Sequence, residues 1–262
     1  DPMQLIDFAG EKVFDSATVD VNILMYRKSK NHNKTAACII KDSGWRNNLS
    51  GYFHQNSMEN RFDNSASWVI LSPIEQSIKR KIESIGVPLK DWDISINYGI
   101  KTGFNEAFII DGKKKDELIA ADPKSAEIIR PILRGRDIKR YSYEFANLYI
   151  IATFPSKMYN IDDYPAVKKY LLSFGIERLE QTGKTYRLNG TTIKARKKTT
   201  NKWFETQDSI SYWDDFSRQK IVWGNLCLSA QYAYVENEVF INAPSTMIVG
   251  GTKYLLALLN SI

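Results

Sequence analysis

The sequence predicts an α+β fold. Three observations predict it: short stretches of alternating apolar residues, a few amphipathic segments with clear start signals, and a composition able to fill a core. Hydrophobic residues make up 43% and charged residues 25% of the 262 residues, which is globular rather than disordered. A chain this long buries a large core without covalent staples. Its two cysteines, Cys38 and Cys227, and two histidines, His32 and His54, exclude a disulfide framework, a Cys-rich zinc site and a His-rich metal cluster. Apolar runs such as Tyr254 to Leu259 fall far short of the roughly 18 residues that a membrane helix needs. The N-terminal Asp1-Pro2-Met3-Gln4 shows no signal peptide, so a cytoplasmic, reducing setting is expected. The chain does not begin with Met and ends inside an apolar helical pattern, which points to a piece cut from something longer.

Taken in order, Val19, Val21, Ile23 and Met25 alternate as in a strand. The polar stretch 28 to 34 reads as a linker or exposed turn, and a domain boundary is placed there. Short strands in Asn-, Ser- and Gly-rich loops follow up to residue 72. Ser72-Pro73-Ile74-Glu75 is a capping box with Pro at the first helical position. Ile74, Ile78, Ile82 and Ile85 then form one apolar face, ended by Gly86 and Pro88. Residues 92 to 111 read as two strands around the turn Gly99 to Asn105, either a ligand-presenting loop or a plain hairpin. Lys113 to Lys115 reads as a turn, Asp122-Pro123 starts a short helix, and Asn147 to Phe154 is an apolar strand. Asp163-Tyr164-Pro165 opens a helix with Val167, Tyr170, Leu171 and Phe174 on its face. The segment 184 to 202 is poor in apolar residues and reads as a long loop or loose hairpin. Lys220 to Trp223 is a strand, Leu226 to Val235 reads as another, and Tyr254 to Leu259 is helical in its residue types.

Charge gives the first functional hint. Thirty-six Lys/Arg against 30 Asp/Glu leave a net charge of +6. From Lys184 to Phe204 there are seven Lys/Arg and no acid: Lys184, Arg187, Lys194, Arg196, Lys197, Lys198 and Lys202. A second cluster comprises Arg130, Arg134, Arg136, Lys139 and Arg140. Local positive patches on a near-neutral body suit a polyanion such as nucleic acid; a solvated surface loop is the alternative. No nucleotide-binding glycine loop, nucleophile elbow or credible Ser/His/Asp or Cys/His set is present. The acid pairs Asp162-Asp163 and Asp214-Asp215 fit helix N-termini. Binding is therefore favoured over catalysis within these residues, with no catalytic residue and no metal site expected.

The order of motifs resembles a known family. Gly99-Ile100-Lys101-Thr102-Gly103-Phe104-Asn105-Glu106-Ala107-Phe108 resembles the signature of TaqI-like specificity domains. Those are the target recognition domains of adenine-N6 DNA methyltransferases and of fused (type IIG) restriction-modification enzymes. Ile129 to Tyr141, Tyr164-Pro165, Tyr170-Leu171, Lys202-Trp203-Phe204, Lys220 to Trp223 and Leu255 to Ser261 match later elements, so the resemblance covers roughly residues 60 to 262. Lys12 to Val19 looks like the last conserved motif of the methyltransferase domain in the same class, with Phe14 at the position that stacks on a flipped adenine. Phe14 as a plain core residue is the alternative. The Asn-Pro-Pro-Tyr/Phe motif, a glycine-rich S-adenosylmethionine site and any nuclease motif are absent, so the chain alone is expected neither to methylate nor to cleave.

The resemblance implies the following expectations. Residues 1–30 are the tail of a methyltransferase domain. Residues 31–262 are a target recognition domain, truncated at its C-terminus, with an irregular mixed or antiparallel, β-helix-like core and a C-terminal helical hairpin. The partners are double-stranded DNA and the chain's own methyltransferase domain, with no membrane. No cofactor binds these residues; S-adenosyl-L-methionine belongs to the methyltransferase domain. Lys101, Thr102 and Asn105 serve phosphate contact or loop architecture. Arg134, Arg136, Lys139 and Arg140 are phosphate or groove contacts, with an internal Arg134–Asp137 ion pair as the alternative. Arg196, Lys197, Lys198 and Lys202 lie where base readout is expected, with Tyr186, Arg187 and Asn189 as further readers. Two rival functions stay open. One is the specificity region of a phage-exclusion type methyltransferase; the other is a basic module binding RNA or an acidic protein.

Overall fold

The computed structural model describes every residue except Thr18, Ala66, Asn189 and Ile262. The chain divides into two compact units, Asp1–Asp91 and Trp92–Ile262.

In the first unit, β1 (Pro2–Asp7) pairs antiparallel with β2 (Asn22–Tyr26) and parallel with β3 (Thr35–Ile39). Helix α1 (Leu49–Asn56) follows, and β4 (Met58–Asn60) completes the sheet in the order β2-β1-β3-β4. Ile6, Phe8, Cys38, Ile40 and Phe53 form one apolar cluster beneath it. The expected boundary near residue 30 thus falls between two strands of one sheet. The polar segment 28–34 joins β2 to β3 and separates no compact units; the division lies after Asp91. Helix α2 (Pro73–Ile85) starts on the capping box read from the sequence. The Glu75 backbone N–H donates to Ser72 Oγ, and the Ser72 backbone N–H donates to Glu75 Oε2 at 2.8 Å. The Ser72 backbone N–H, and after it the Ser72 hydroxyl, hold the Glu75 carboxyl below its usual range. The isoleucine face is present, but Ile74, Ile78, Ile82 and Ile85 all stand exposed.

The second unit holds β5 (Ser95–Tyr98), α3 (Asn105–Phe108), β6 (Ile109–Asp111) and α4 (Gly112–Ala121). Next come β7 (Ile129–Leu133), β8 (Leu148–Ile151), α5 (Pro165–Leu172) and α6 (Ile176–Leu179). The hairpin of β9 (Thr185–Leu188) and β10 (Thr191–Lys194) follows. The chain then runs through β11 (Lys220–Gly224), β12 (Tyr232–Val235), β13 (Phe240–Ile241), β14 (Ser245–Val249) and α7 (Lys253–Leu259). One open antiparallel sheet has the order β12-β11-β14-β5; a second, mixed sheet has the order β13-β7-β8-β6. This is the α+β class that the sequence predicts. The helical pair is α5–α6, in mid-chain, and α7 stands at the C-terminal end.

The two sheets share a core. Ile132, Ile150 and Phe240 of one meet Val222, Val235 and Met247 of the other, with the Phe216 and Phe240 rings stacked at 4.4 Å. A second cluster under α4, α5 and α6 gathers Phe108, Leu118, Val167, Leu171, Leu179 and Phe204.

Three local readings change. The strands flanking Gly99–Asn105 are not a hairpin: β5 pairs with β14 and β6 with β8, because the helical turn α3 carries the chain from one sheet to the other. Lys113 to Lys115 lie in the first turns of α4, where the Lys114 N–H donates to the Asp111 carboxylate at 2.7 Å. The apolar pattern from Leu226 yields a strand only from Tyr232, after a loop.

Candidate nucleic-acid interface

The signature loop is built around backbone geometry. Gly99 crosses the Asn242–Ala243 peptide so closely that a Cβ there would sit 2.7 Å from the Asn242 carbonyl carbon. Gly103 has φ +77, a left-handed conformation that disfavours side chains, and a Cβ there would also crowd Arg196 Cδ at 3.1 Å. Thr102 is buried; its hydroxyl donates to Asn105 Oδ1 at 2.7 Å and accepts from the Phe104 N–H at 3.1 Å. Thr102 therefore shapes the loop. Lys101 is exposed and lines a recess with Thr199, Asn201 and Gln207.

Arg196 corrects the sequence reading most sharply. It is 2% exposed, so it is a core residue and not a contact to DNA. Its Nε donates to Leu179 O at 2.7 Å, Nη1 to Thr102 O at 2.9 Å and Glu205 O at 2.7 Å, and Nη2 to Trp203 O at 2.6 Å. The guanidinium also lies 4.9 Å from the centre of the Phe108 ring. Burial pushes Arg196 down to about 10; nearby Arg178 adds to this and Glu205 opposes it. At neutral pH it remains a cation, held by carbonyl dipoles rather than by an ion pair. The signature loop, the end of α6 and the Trp203–Glu205 turn thus hang on one side chain. Gln181 tightens the same region, its Nε2 donating to Lys202 O at 3.1 Å and Glu205 O at 3.0 Å.

The rest of the basic segment does face solvent. Lys197, Lys198 and Lys202 are exposed, as are Lys184, Arg187 and Lys194 on the β9–β10 hairpin. Tyr186 is half-buried, its hydroxyl donating to Glu180 Oε2 at 2.6 Å. Asn189 lies outside the described residues.

Arg134 forms the internal pair that the sequence left as an alternative. Its Nε and Nη2 donate to the two Asp137 carboxylate oxygens at 3.0 and 2.8 Å, and its backbone N–H donates to the same carboxylate at 2.8 Å. Burial alone would lift the Asp137 carboxyl, but the Arg134 bonds outweigh it and hold the group below the usual carboxylate range. This clamp fixes a tight turn whose Gly135 packs on Gly224: a Cβ on Gly224 would lie 3.1 Å from Gly135 Cα. The turn presents Arg136 to solvent, while Lys139 Nζ donates to Arg136 O at 2.8 Å. Arg140 is drawn elsewhere, donating through Nη2 to Asn260 O at 2.6 Å.

The predicted residues therefore sort into groups. Asn105, Arg134, Arg136 and Lys139 line one open groove of about 790 Å³. Thr102 and Arg196 meet in the core beneath the signature loop. Arg187, Lys197, Lys198 and Lys202 do not line the groove. Phe14, in the first unit, is 51% exposed.

Sequence reasoning missed the opposite wall of the groove. It is the loop 225–231 between β11 and β12, with Asn225, Leu226, Leu228 and Gln231. Gly224-Asn225, a turn dipeptide, was the available signal. Glu106 contributes a carboxylate, and the buried Ser245 hydroxyl at the groove has no hydrogen-bond partner among the described residues.

Residues 130–262 match the TaqI-like C-terminal specificity domain, about half of the chain, and the chain belongs to that family. The signature loop at 99–105 lies ahead of the matched range. Among solved structures, the chain is similar to the type IIL restriction-modification enzyme MmeI, determined in complex with DNA, at 11% identity and a TM-score of 0.44. That likeness covers 99% of this chain and 31% of MmeI. It is similar too to the type IIG restriction endonuclease BpuSI, at 14% identity and a TM-score of 0.39, over 99% of this chain and 32% of that one. The chain thus spans about a third of the length of these enzymes. No curated protein sequence matches it. Among the described residues no helix is long and apolar enough to cross a membrane, and no group of His, Cys, Asp or Glu is arranged to hold a metal.

Proposed function

We propose that this chain is the sequence-reading part of a restriction-modification enzyme and binds duplex DNA. Membership of residues 130–262 in the specificity-domain family carries the reading. The groove chemistry supports it: Arg136 and Lys139 suit phosphates, while Gln231 carries an amide of the kind that pairs with adenine edges. The parent enzyme, on this reading, is an adenine-N6 DNA methyltransferase, alone or fused to an endonuclease. S-adenosyl-L-methionine is bound by its methyltransferase domain, which packs against this chain. The exposed Phe14 ring is then available to stack on an extruded adenine, since every base offers a π-face.

The test is selection from a pool of randomised duplex DNA at two salt concentrations, followed by sequencing. Enrichment of a motif a few base pairs long is the expected result. Absence of binding at low salt overturns the reading for this chain. Uniform, steeply salt-dependent binding would show phosphate grip without readout.

A further inference from the structure

The loop joining β11 to β12 ends in two uncovered leucines. Leu226 is 88% exposed and Leu228 is 109% exposed. Burying a leucine side chain is worth about 1.5–3 kcal/mol, so two apolar tips standing in water beside a groove mark a contact surface. Their footing is firm. β11 enters the loop from the core through Val222 and leaves it at Gly224, which is packed on Gly135. β12 returns through the buried Ala233 and Val235. The leucines are therefore presented by a braced hairpin, the arrangement that gives a loop a defined reach.

The surroundings indicate what they meet. Among the described residues, the groove beside them is lined by Arg136 and Lys139, with Arg134 paired internally to Asp137, against the carboxylate of Glu106, and the Ser245 hydroxyl that also lines it has no partner. A cationic wall beside an apolar tip matches an occupant with an anionic edge and an apolar interior. Duplex DNA has that make-up, with phosphates outside and stacked bases and thymine methyls within. We propose that Leu226 and Leu228 are the apolar base-contacting element of this domain. The hairpin tip enters a groove of the duplex, the leucines pack on bases, and Arg136 and Lys139 hold flanking phosphates. This rests on the DNA-binding reading above.

The experiment uses the 262-residue chain and the double variant Leu226→Ser/Leu228→Ser. Both side chains lie outside the core, so the thermal midpoint should not change. Binding is measured to a duplex enriched from the random pool and to a scrambled duplex of the same length. The expected result is a loss of about tenfold or more on the enriched duplex, with the scrambled affinity and its salt slope unchanged. A second readout needs no enriched site. Cys227, between the leucines, is exposed whereas Cys38 is buried, so a maleimide reports on the tip. DNA should protect Cys227 in the wild-type chain. Replacing thymines of the site by uracil separates contact with a methyl group, which it weakens, from insertion at a base step, which it spares.

Unchanged affinity for both duplexes, with Cys227 as reactive with DNA as without it, overturns the proposal. So does a change in the mass of the free chain on substitution while DNA binding stays constant, which would assign the leucines to self-contact. A wild-type chain that binds no duplex overturns the functional reading and this inference with it. A loss confined to the scrambled duplex would assign the leucines to non-specific grip and overturn their base-contacting role.

Discussion

Arg196 shows how far residue type alone can mislead. In the sequence it is one of seven cations in an acid-free stretch; in the structure it is the buried centre of a backbone clasp. Removing it takes a donor from four backbone carbonyls of a closed site, of which Glu205 O keeps the Gln181 amide. Arg196→Met should lower unfolding stability by about 3–5 kcal/mol, read from urea midpoints. Arg196→Lys should not restore it, because an ammonium cannot reproduce the planar fork. Lys197→Ala/Lys198→Ala should leave stability unchanged, since both side chains are exposed. Lys220 is a second buried cation, its Nζ donating to Phe216 O at 2.6 Å and to Arg218 O and Asn237 O at 3.0 Å. Burial pushes it down to about 8, with Glu238 opposing. The folded chain therefore releases this proton at lower pH than the unfolded chain. Between about pH 8 and the ordinary lysine range the unfolded state binds more protons, so this site makes stability rise with pH. Urea midpoints taken at about pH 7 and about pH 10 should increase more for the wild type than for Lys220→Met. An equal change in both chains would show that Lys220 does not titrate there.

At the scale of elements, the legible parts were those governed by neighbours in sequence. The capping box at Ser72 and the starts of α5 and of the Pro123–Glu127 turn of helix follow from local hydrogen bonding and from Pro. The strands β8 and β11 follow from their apolar runs. What the sequence could not show was pairing. β5 and β6 read as two arms of one turn, yet each joins a distant strand, and registers such as Ile96 to Ile248 leave no local trace. The same limit hid half of the groove: its walls come from positions near 105, 135, 225 and 245, which only the sheets bring together. Gly99 is where two such elements cross. Gly99→Ala should destabilise the second unit by about 2–4 kcal/mol, because the atoms a Cβ would meet are backbone and cannot turn aside. A thermal midpoint equal to the wild type would show that the crossing is looser than described.

Over the whole molecule, charge and fold divide in the same place. The first unit carries 12 Lys/Arg against 11 Asp/Glu, and the second carries 24 against 19. Basicity thus belongs to the unit that holds the groove, as expected for attraction to a polyanion. Within that unit the exposed cations of the β9–β10 hairpin lie off the groove; on the proposed DNA-binding reading they would grip phosphates rather than bases. Lys184→Gln/Arg187→Gln/Lys194→Gln should lower the slope of log affinity against log salt by roughly one for each phosphate no longer neutralised, without changing which duplex is preferred. A changed preference at constant slope would place the hairpin in base readout. The clasp beneath the loops sets the terms on which such preferences can be altered. Arg196 holds carbonyl oxygens, which are the same in every residue, and so is indifferent to the side chains that its partners carry. Outward-facing positions on the loops it ties together can be rewritten while the frame keeps its register.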